Sequence, residues 1–187
     1  MTTSIIIPAR FGSSRYRGKP LVKILGKEMV IRVADICKKI KDVKVFVATD
    51  SKKIANVVKK YGYDYIFTSS NCLTGTDRVA EASKKIRSKI YINVQGDEPT
   101  INPNDIKKVI KEKKKFPNHV ICGYDKVHDF ENPKSINLPK VVVNSKGELI
   151  YINKYDENGY KQEFSHFEND KIDYKWIYTN DDEGNVL

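Results

Sequence analysis

Four cations lie in one short segment near the start of the chain, Pro8-Ala9-Arg10-Phe11-Gly12-Ser13-Ser14-Arg15-Tyr16-Arg17-Gly18-Lys19-Pro20. Arg10, Arg15, Arg17 and Lys19 stand among small residues that let backbone N–H groups approach a ligand closely. Dispersed positive charge with main-chain donors is the chemistry that holds a triphosphate. The segment is not the Gly-x-x-x-x-Gly-Lys loop of ATPases. Its glycines, Gly12 and Gly18, are one residue too far apart, and Pro20 stands where Ser or Thr would reach magnesium. An ordinary basic surface loop is the plainer alternative, and position in the fold decides between the two.

A second segment, Asn93-Val94-Gln95-Gly96-Asp97-Glu98-Pro99, sets two carboxylates directly after an apolar run. Magnesium is usually held by one or two carboxylates together with phosphates and water. A turn or capping role for Asp97 is the alternative. Adjacent Asp97 and Glu98 point different ways, so the two are not both assigned to metal. A third segment, Thr74-Gly75-Thr76-Asp77-Arg78, opens a helix whose N–H groups, with Arg78, can meet a base, a ribose or a phosphate. Alone it is also a plain Thr/Asp cap beside an exposed arginine. His119, His128 and His166 show neither metal-ligand spacing nor a nucleophile partner, and no Gly-x-Ser-x-Gly elbow or Cys/His pairing supports covalent catalysis.

Strands alternating with helices position these segments. Ser4–Pro8 is an apolar run too short for a helix, followed by a helical stripe at Met29, Val30, Val33, Ile36, Cys37 and Ile40. Val43–Thr49 is the next strand. Ser51 is placed to cap a helix carrying Ile54, Ala55, Val57, Val58 and Tyr61, which Gly62 ends. Tyr65–Phe67 is a short strand, Asp77–Ile86 a helix, and Ile90–Val94 a strand; Asn102-Pro103 starts a helix backed by Ile106, Val109 and Ile110. Near-continuously apolar strands of this kind predict an α/β fold, with a mostly parallel Rossmann-like sheet flanked by helices. Right-handed crossovers gather the carboxyl ends of its strands on one edge, where open sheets bind ligands. The loops after Pro8, Thr49, Phe67 and Val94 therefore face one crevice.

Past Asn118 the texture changes. Val120-Ile121-Cys122 and Lys140–Val143 read as strands, Asn144–Gly147 as a turn and Glu148–Ile152 as a returning strand. Turn signals at Asp156–Gly159 and Asp182–Asn185 flank strand-like stretches, which predicts a β-rich C-terminal appendage of hairpins anchored by aromatic residues from Tyr151 to Tyr178. The expected division is a nucleotide-binding core over residues 1–154 and a β-hairpin-like tail over residues 155–187, with Lys154–Tyr155 as a soft boundary.

Composition narrows the function classes. The 187 residues carry a net charge of +10, mostly as lysines spread along helical stretches such as Lys59-Lys60 and Lys113-Lys114-Lys115, where they solvate exposed faces. With no RNA-binding motif or zinc finger, nucleic acid is not an expected partner. No apolar run approaches the roughly 20 residues of a membrane span, and Met1-Thr2-Thr3-Ser4 lacks the features of a secretory signal. Cys37, Cys72 and Cys122 are an odd number and far apart. A reducing cytoplasm is the expected setting.

The three segments together, I-I-P-A-R-F-G-S-S-R-Y-R-G-K-P-L, T-G-T-D-R-V-A-E-A and N-V-Q-G-D-E-P-T-I, resemble the 3-deoxy-manno-octulosonate cytidylyltransferases, or CMP-Kdo synthetases. Their order and spacing fit, and N-L-P-K-V-V-V-N-S-K-G-E-L-I-Y extends the likeness to about Lys154. The resemblance implies the nucleotide-diphospho-sugar transferase type of α/β fold. It implies a magnesium-dependent nucleotidyl transfer, CTP plus the sugar acid Kdo giving CMP-Kdo and pyrophosphate, for lipopolysaccharide or capsule synthesis. By the same resemblance Arg10, Ser14, Arg15 and Lys19 hold the triphosphate. Ala9, Arg78 and Gln95 help place the cytidine, Asp97 binds the metal, and Arg15, Lys19 and Asp97 are the catalytic candidates. A homodimer is an open expectation.

Some of the family's pattern is not found. Its later part supplies much of the sugar-acid pocket, a second metal-binding aspartate in a Gly-Val-Asp-Thr-Pro-like segment, and much of the dimer contact. These 187 residues hold no such segment, and Tyr174-Lys175-Trp176-Ile177-Tyr178 is only a faint echo of the later strand. Thr68-Ser69-Ser70 stands where an Arg or Lys is common, and Tyr16-Arg17 replaces the usual Leu-Pro. The expectation is an intact nucleotide-binding half. Two alternatives accompany the transferase reading: a non-catalytic CTP-binding or regulatory relative, and a cytidylyltransferase for another sugar acid such as 8-amino-Kdo or a sialic acid.

Overall fold

A computed structural model describes residues 2–12, 16–132, 135, 138, 140–155, 161–168 and 171–177, with the backbone alone from residue 151 onward. Contacts divide the chain into two compact units, Met1–Pro117 and Asn118–Leu187.

In the first unit the elements are β1 (Thr3–Ala9), β2 (Lys23–Ile24), β3 (Lys27–Glu28), α1 (Met29–Lys38), β4 (Val43–Thr49), α2 (Lys52–Lys60), β5 (Asp64–Phe67), α3 (Gly75–Ser83), β6 (Ile90–Asn93) and α4 (Pro103–Lys115), with a 3-10 turn at Lys19–Leu21. Among the described residues β5, β4, β1 and β6 form a parallel sheet in that order. Every residue of β1 is buried, as a central strand covered on both faces requires. Its pleat sends Ile5 and Ile7 to one side and Ile6 to the other. Ile5 and Ile7 pack with Val30 and Val33 of α1, Ile54 and Val58 of α2, and Ile106 and Ile110 of α4. Ile6 joins Ala48, Ile66 and Ala82, so α3 covers the opposite face. Each isoleucine fully buried here stabilises the sheet by about 1.5–3 kcal/mol relative to exposure.

The α/β architecture expected from the sequence is present, with shifted element ends. α3 starts at Gly75 rather than Asp77, because Thr74 and Asp77 form a reciprocal capping box, and it stops at Ser83 rather than Ile86. Ser51 precedes α2, but its side chain makes no capping hydrogen bond. The two-residue strands β2 and β3 escape the sequence pattern. They pair through a turn in which Leu25 and Gly26 take φ of 48° and 80°, the left-handed pair of a two-residue hairpin. Of the cysteines, which are free, Cys37 is buried and Cys122 exposed.

The second unit holds β7 (Lys140–Val143), β8 (Leu149–Tyr155), β9 (Lys161–Glu168) and β10 (Lys171–Ile177), joined as an antiparallel sheet in the order β10-β9-β8-β7. The β-rich appendage is therefore a meander, and its expected aromatic anchors from Tyr151 onward have side chains outside the described residues. Two expectations need correction. Val120-Ile121-Cys122 is not a strand: it has no ladder partner, and Val120 is 85 % exposed, so local β-propensity has nothing to pair with. The boundary expected at Lys154–Tyr155 falls inside β8, where Lys154 pairs with Glu163 and Tyr155 with Lys161. The chain instead divides just beyond α4, at Pro117.

Candidate functional site

The carboxyl ends of β1, β4, β5 and β6 share one edge, and the loops leaving them carry the candidate residues. Ala9, the last residue of β1, is 2 % exposed, whereas Arg10 beside it is exposed. The loop then folds back on itself: the Gly18 N–H donates to the Phe11 carbonyl at 2.8 Å. Gly18 has φ +76°, and a Cβ there would lie 3.3 Å from the Phe11 ring, so glycine suits both the backbone and the space. Arg17 and Lys53 stand 5.6 Å and 5.2 Å from the centre of the same ring. Ser14 and Arg15 lie outside the described residues.

Lys19, at the start of the 3-10 turn, reaches across to the loop after β6. Its Nζ lies 2.7 Å from Asp97 Oδ2, and both side chains are about half exposed, at 45 % and 50 %. The candidate phosphate cation and the candidate metal carboxylate thus come together from opposite ends of the unit's sequence. Glu98, next in line, has its carboxyl raised above the usual range by desolvation and, second, by the Asp97 charge.

Close backbone approaches join three of these loops. A Cβ on Gly96 would lie 2.7 Å from the Pro8 carbonyl oxygen, a separation that forces the backbone to move. A Cβ on Gly75 would lie 3.2 Å from Gln95 Oε1 and 3.4 Å from the Pro8 ring. Gln95 Nε2 donates to Asn93 Oδ1 at 3.3 Å. The start of α3, the end of β1 and the Gln95-Gly96 turn therefore touch one another.

Arg78 is not the exposed helix arginine that its local sequence suggests. It is 2 % exposed, and its Nη2 donates to Asp50 Oδ2 at 3.0 Å. Its Nη1 donates to the Thr68 hydroxyl and, at 3.3 Å, to the Ser69 carbonyl. Asp50 Oδ1 also accepts from the Phe11 N–H at 3.4 Å. Nearby, Glu81 accepts from Lys85 Nζ at 2.8 Å, the Ser69 N–H at 2.9 Å and the Cys72 thiol at 3.3 Å, and so organises the loop after β5. The Lys85 hydrogen bond, then the Ser69 N–H, lower the Glu81 carboxyl to about 2.

Asp50 and Glu81 are not singled out by the sequence, and Thr68 only as one of three residues standing where an Arg or Lys is common. For Asp50 the signal was available: it follows the strand Val43–Thr49 on the same edge as Asp97. Among the described residues no three His, Cys, Asp or Glu side chains gather as a metal cage. An exposed Asp97 carboxylate at this edge fits magnesium shared with phosphates and water; it does not fit an ion enclosed by protein alone.

A family model described as Cytidylyltransferase matches residues 4–183. The chain is 37 % identical over 157 residues to a 3-deoxy-manno-octulosonate cytidylyltransferase of Haemophilus influenzae (strain PittGG), covering 82 % of this chain and 62 % of that one. It is 38 % identical over 161 residues to a mitochondrial 3-deoxy-manno-octulosonate cytidylyltransferase of Arabidopsis thaliana, covering 82 % of this chain and 56 % of that one. A solved structure of CMP:2-keto-3-deoxy-manno-octonic acid synthetase complexed with CTP superposes with a TM-score of 0.70 at 34 % identity, covering 81 % of this chain and 64 % of the other. The chain spans about six-tenths of the length of these curated relatives.

Proposed function

Because the chain belongs to the cytidylyltransferase family, we propose that it binds CTP at the carboxyl edge of its parallel sheet and transfers CMP to Kdo or a similar sugar acid. The observation that supports this most directly is the meeting of Lys19 and Asp97, 2.7 Å apart, at the edge where such sheets bind nucleotides. In this reading Arg10, Ser14, Arg15 and Lys19 hold the triphosphate, and Ala9, Arg78 and Gln95 help place the cytidine. The oxygen of the sugar's anomeric hydroxyl forms a bond to the α-phosphorus as its proton passes to solvent, and the bond from that phosphorus to the pyrophosphate oxygen breaks. Lys19 and Arg15 offset the negative charge on the phosphates, with no covalent nucleophile on the protein. Positioning and electrostatics carry transfers of this kind. Magnesium held at Asp97 would neutralise phosphate charge and orient the departing pyrophosphate.

The product serves lipopolysaccharide or capsule synthesis, and the reaction belongs to the cytoplasm, without nucleic acid and with a homodimer as the proposed assembly. No helix among the described residues is long and apolar enough to cross a membrane.

The test is a pyrophosphate-release screen of this chain with magnesium, pairing CTP, ATP, GTP and UTP with Kdo, 8-amino-Kdo and sialic acids. Release from CTP with Kdo is the expected result. CTP binding without release from any acceptor would replace the transferase reading with that of a nucleotide-binding module.

A further inference from the structure

Asp50 serves two different loops with its two carboxylate oxygens. Oδ1 accepts from the Phe11 N–H, just beyond β1, at 3.4 Å, and Oδ2 accepts from Arg78 of α3 at 3.0 Å. Arg78 passes the connection on to Thr68 and Ser69 beyond β5. One ion pair therefore ties together the ends of β1, β4 and β5 and the first turns of α3. It is also well covered, with side-chain exposures of 2 % for Arg78 and 17 % for Asp50.

A buried guanidinium without its carboxylate is costly, whereas the intact pair adds little stability over an apolar pair of the same shape. Stability alone is thus a weak reason to place this pair beneath a binding edge. Geometry gives a stronger one. The guanidinium fork fixes direction, because its planar donors reach Asp50 on one side and Thr68 and Ser69 on the other. The first loop and the start of α3 are the two segments that must present to a single nucleotide, and Asp50 is bonded toward both.

We propose that Asp50 is a positioning residue for the nucleotide, holding the start of the cationic loop and Arg78 in one register. This rests on the CTP-binding reading above. Asp50 touches no substrate in this account; it acts through the Phe11 N–H and through Arg78.

Asp50→Asn keeps the shape and an acceptor for Phe11 but leaves Arg78 without its counter-charge. CTP binding is measured by calorimetry on the full chain, at a temperature where near-ultraviolet dichroism shows the variant folded. The expected result is a CTP Kd raised about tenfold or more, the scale of a lost charge-assisted hydrogen bond. A merely structural pair would lower the melting temperature and leave the Kd of the folded protein unchanged; that outcome overturns the inference. Should Asp50→Asn not fold, Asp50→Glu keeps the charge but moves the carboxylate by one methylene, with the same rise in Kd expected and an unchanged Kd equally fatal. Failure of the unmodified chain to bind CTP would overturn the functional reading, and this inference with it. Normal binding by the unmodified chain and an equal Kd in the variant overturn this inference alone.

Discussion

The Lys19 ammonium stands 2.7 Å from the Asp97 carboxylate, across 78 residues of chain. Both side chains are about half exposed, so the pair contributes little to stability, about 0–1 kcal/mol. Its interest is its position. Lys19 comes from the loop that folds back after β1, Asp97 from the turn after β6, and the two strands are direct neighbours.

Lys19→Ala and Asp97→Ala should therefore separate activity from stability. Each is expected to change the unfolding free energy by less than about 1 kcal/mol. Pyrophosphate release should be lost with Asp97→Ala and strongly reduced with Lys19→Ala. Wild-type release rates in both variants would remove these residues from the site.

Gly96→Ala tests the close approach of the β6 turn to β1. Its Cβ would sit 2.7 Å from the Pro8 carbonyl oxygen, so the backbone must shift at the floor of the site. The expected cost is about 1–3 kcal/mol in urea unfolding, with weakened CTP binding alongside. An unchanged urea midpoint would contradict that contact.

Glu81 sets an acid limit. Its carboxyl is lowered from an ordinary 4.5 to about 2 in the folded chain, chiefly by Lys85 and then by the Ser69 N–H. A lowered folded-state value means the stabilisation is full above 4.5 and is lost as the pH falls toward 2. Melting temperatures across that window should fall less steeply in Glu81→Gln than in the unmodified chain. Parallel curves for the two proteins would contradict the assignment.

Leu25 is 92 % exposed with φ of 48°, a left-handed conformation that costs a bulky side chain without burying it. Leu25→Asn creates the Asn-Gly pair that such hairpins favour. The expected gain is on the order of 0.5–1 kcal/mol, read from the melting temperature. A loss of stability would mean that Leu25 serves another purpose.

The alternation of strands and helices was legible because Ile5–Ile7, Val43–Thr49 and Ile90–Val94 are apolar runs and the helices carry regular stripes. That alternation also located the edge where Lys19 and Asp97 meet. The burial of Arg78 was not legible. Its counter-ion is 28 residues away, and a helix-opening Thr-Gly-Thr-Asp-Arg looks the same whether its arginine points outward or inward. The hairpin of β2 and β3 is too short to alternate. Val120-Ile121-Cys122 has the composition of a strand, but pairing depends on a neighbour that local sequence does not specify.

The sheet order also governs the sequence of events during synthesis. β1 is made first, yet it sits in the middle, and its partner β6 begins 87 residues later (90 minus 3). At about 5–20 residues per second, roughly 4–17 s pass between the two strands. Throughout that interval one flank of Thr3, Ser4, Ile5 and Ile6 lacks its ladder partner, even after β4 has paired on the other side. The nascent chain therefore carries a short, uncharged, β-prone segment with an open edge, and its hazard of misassembly on the ribosome ends only once Asn93 has emerged.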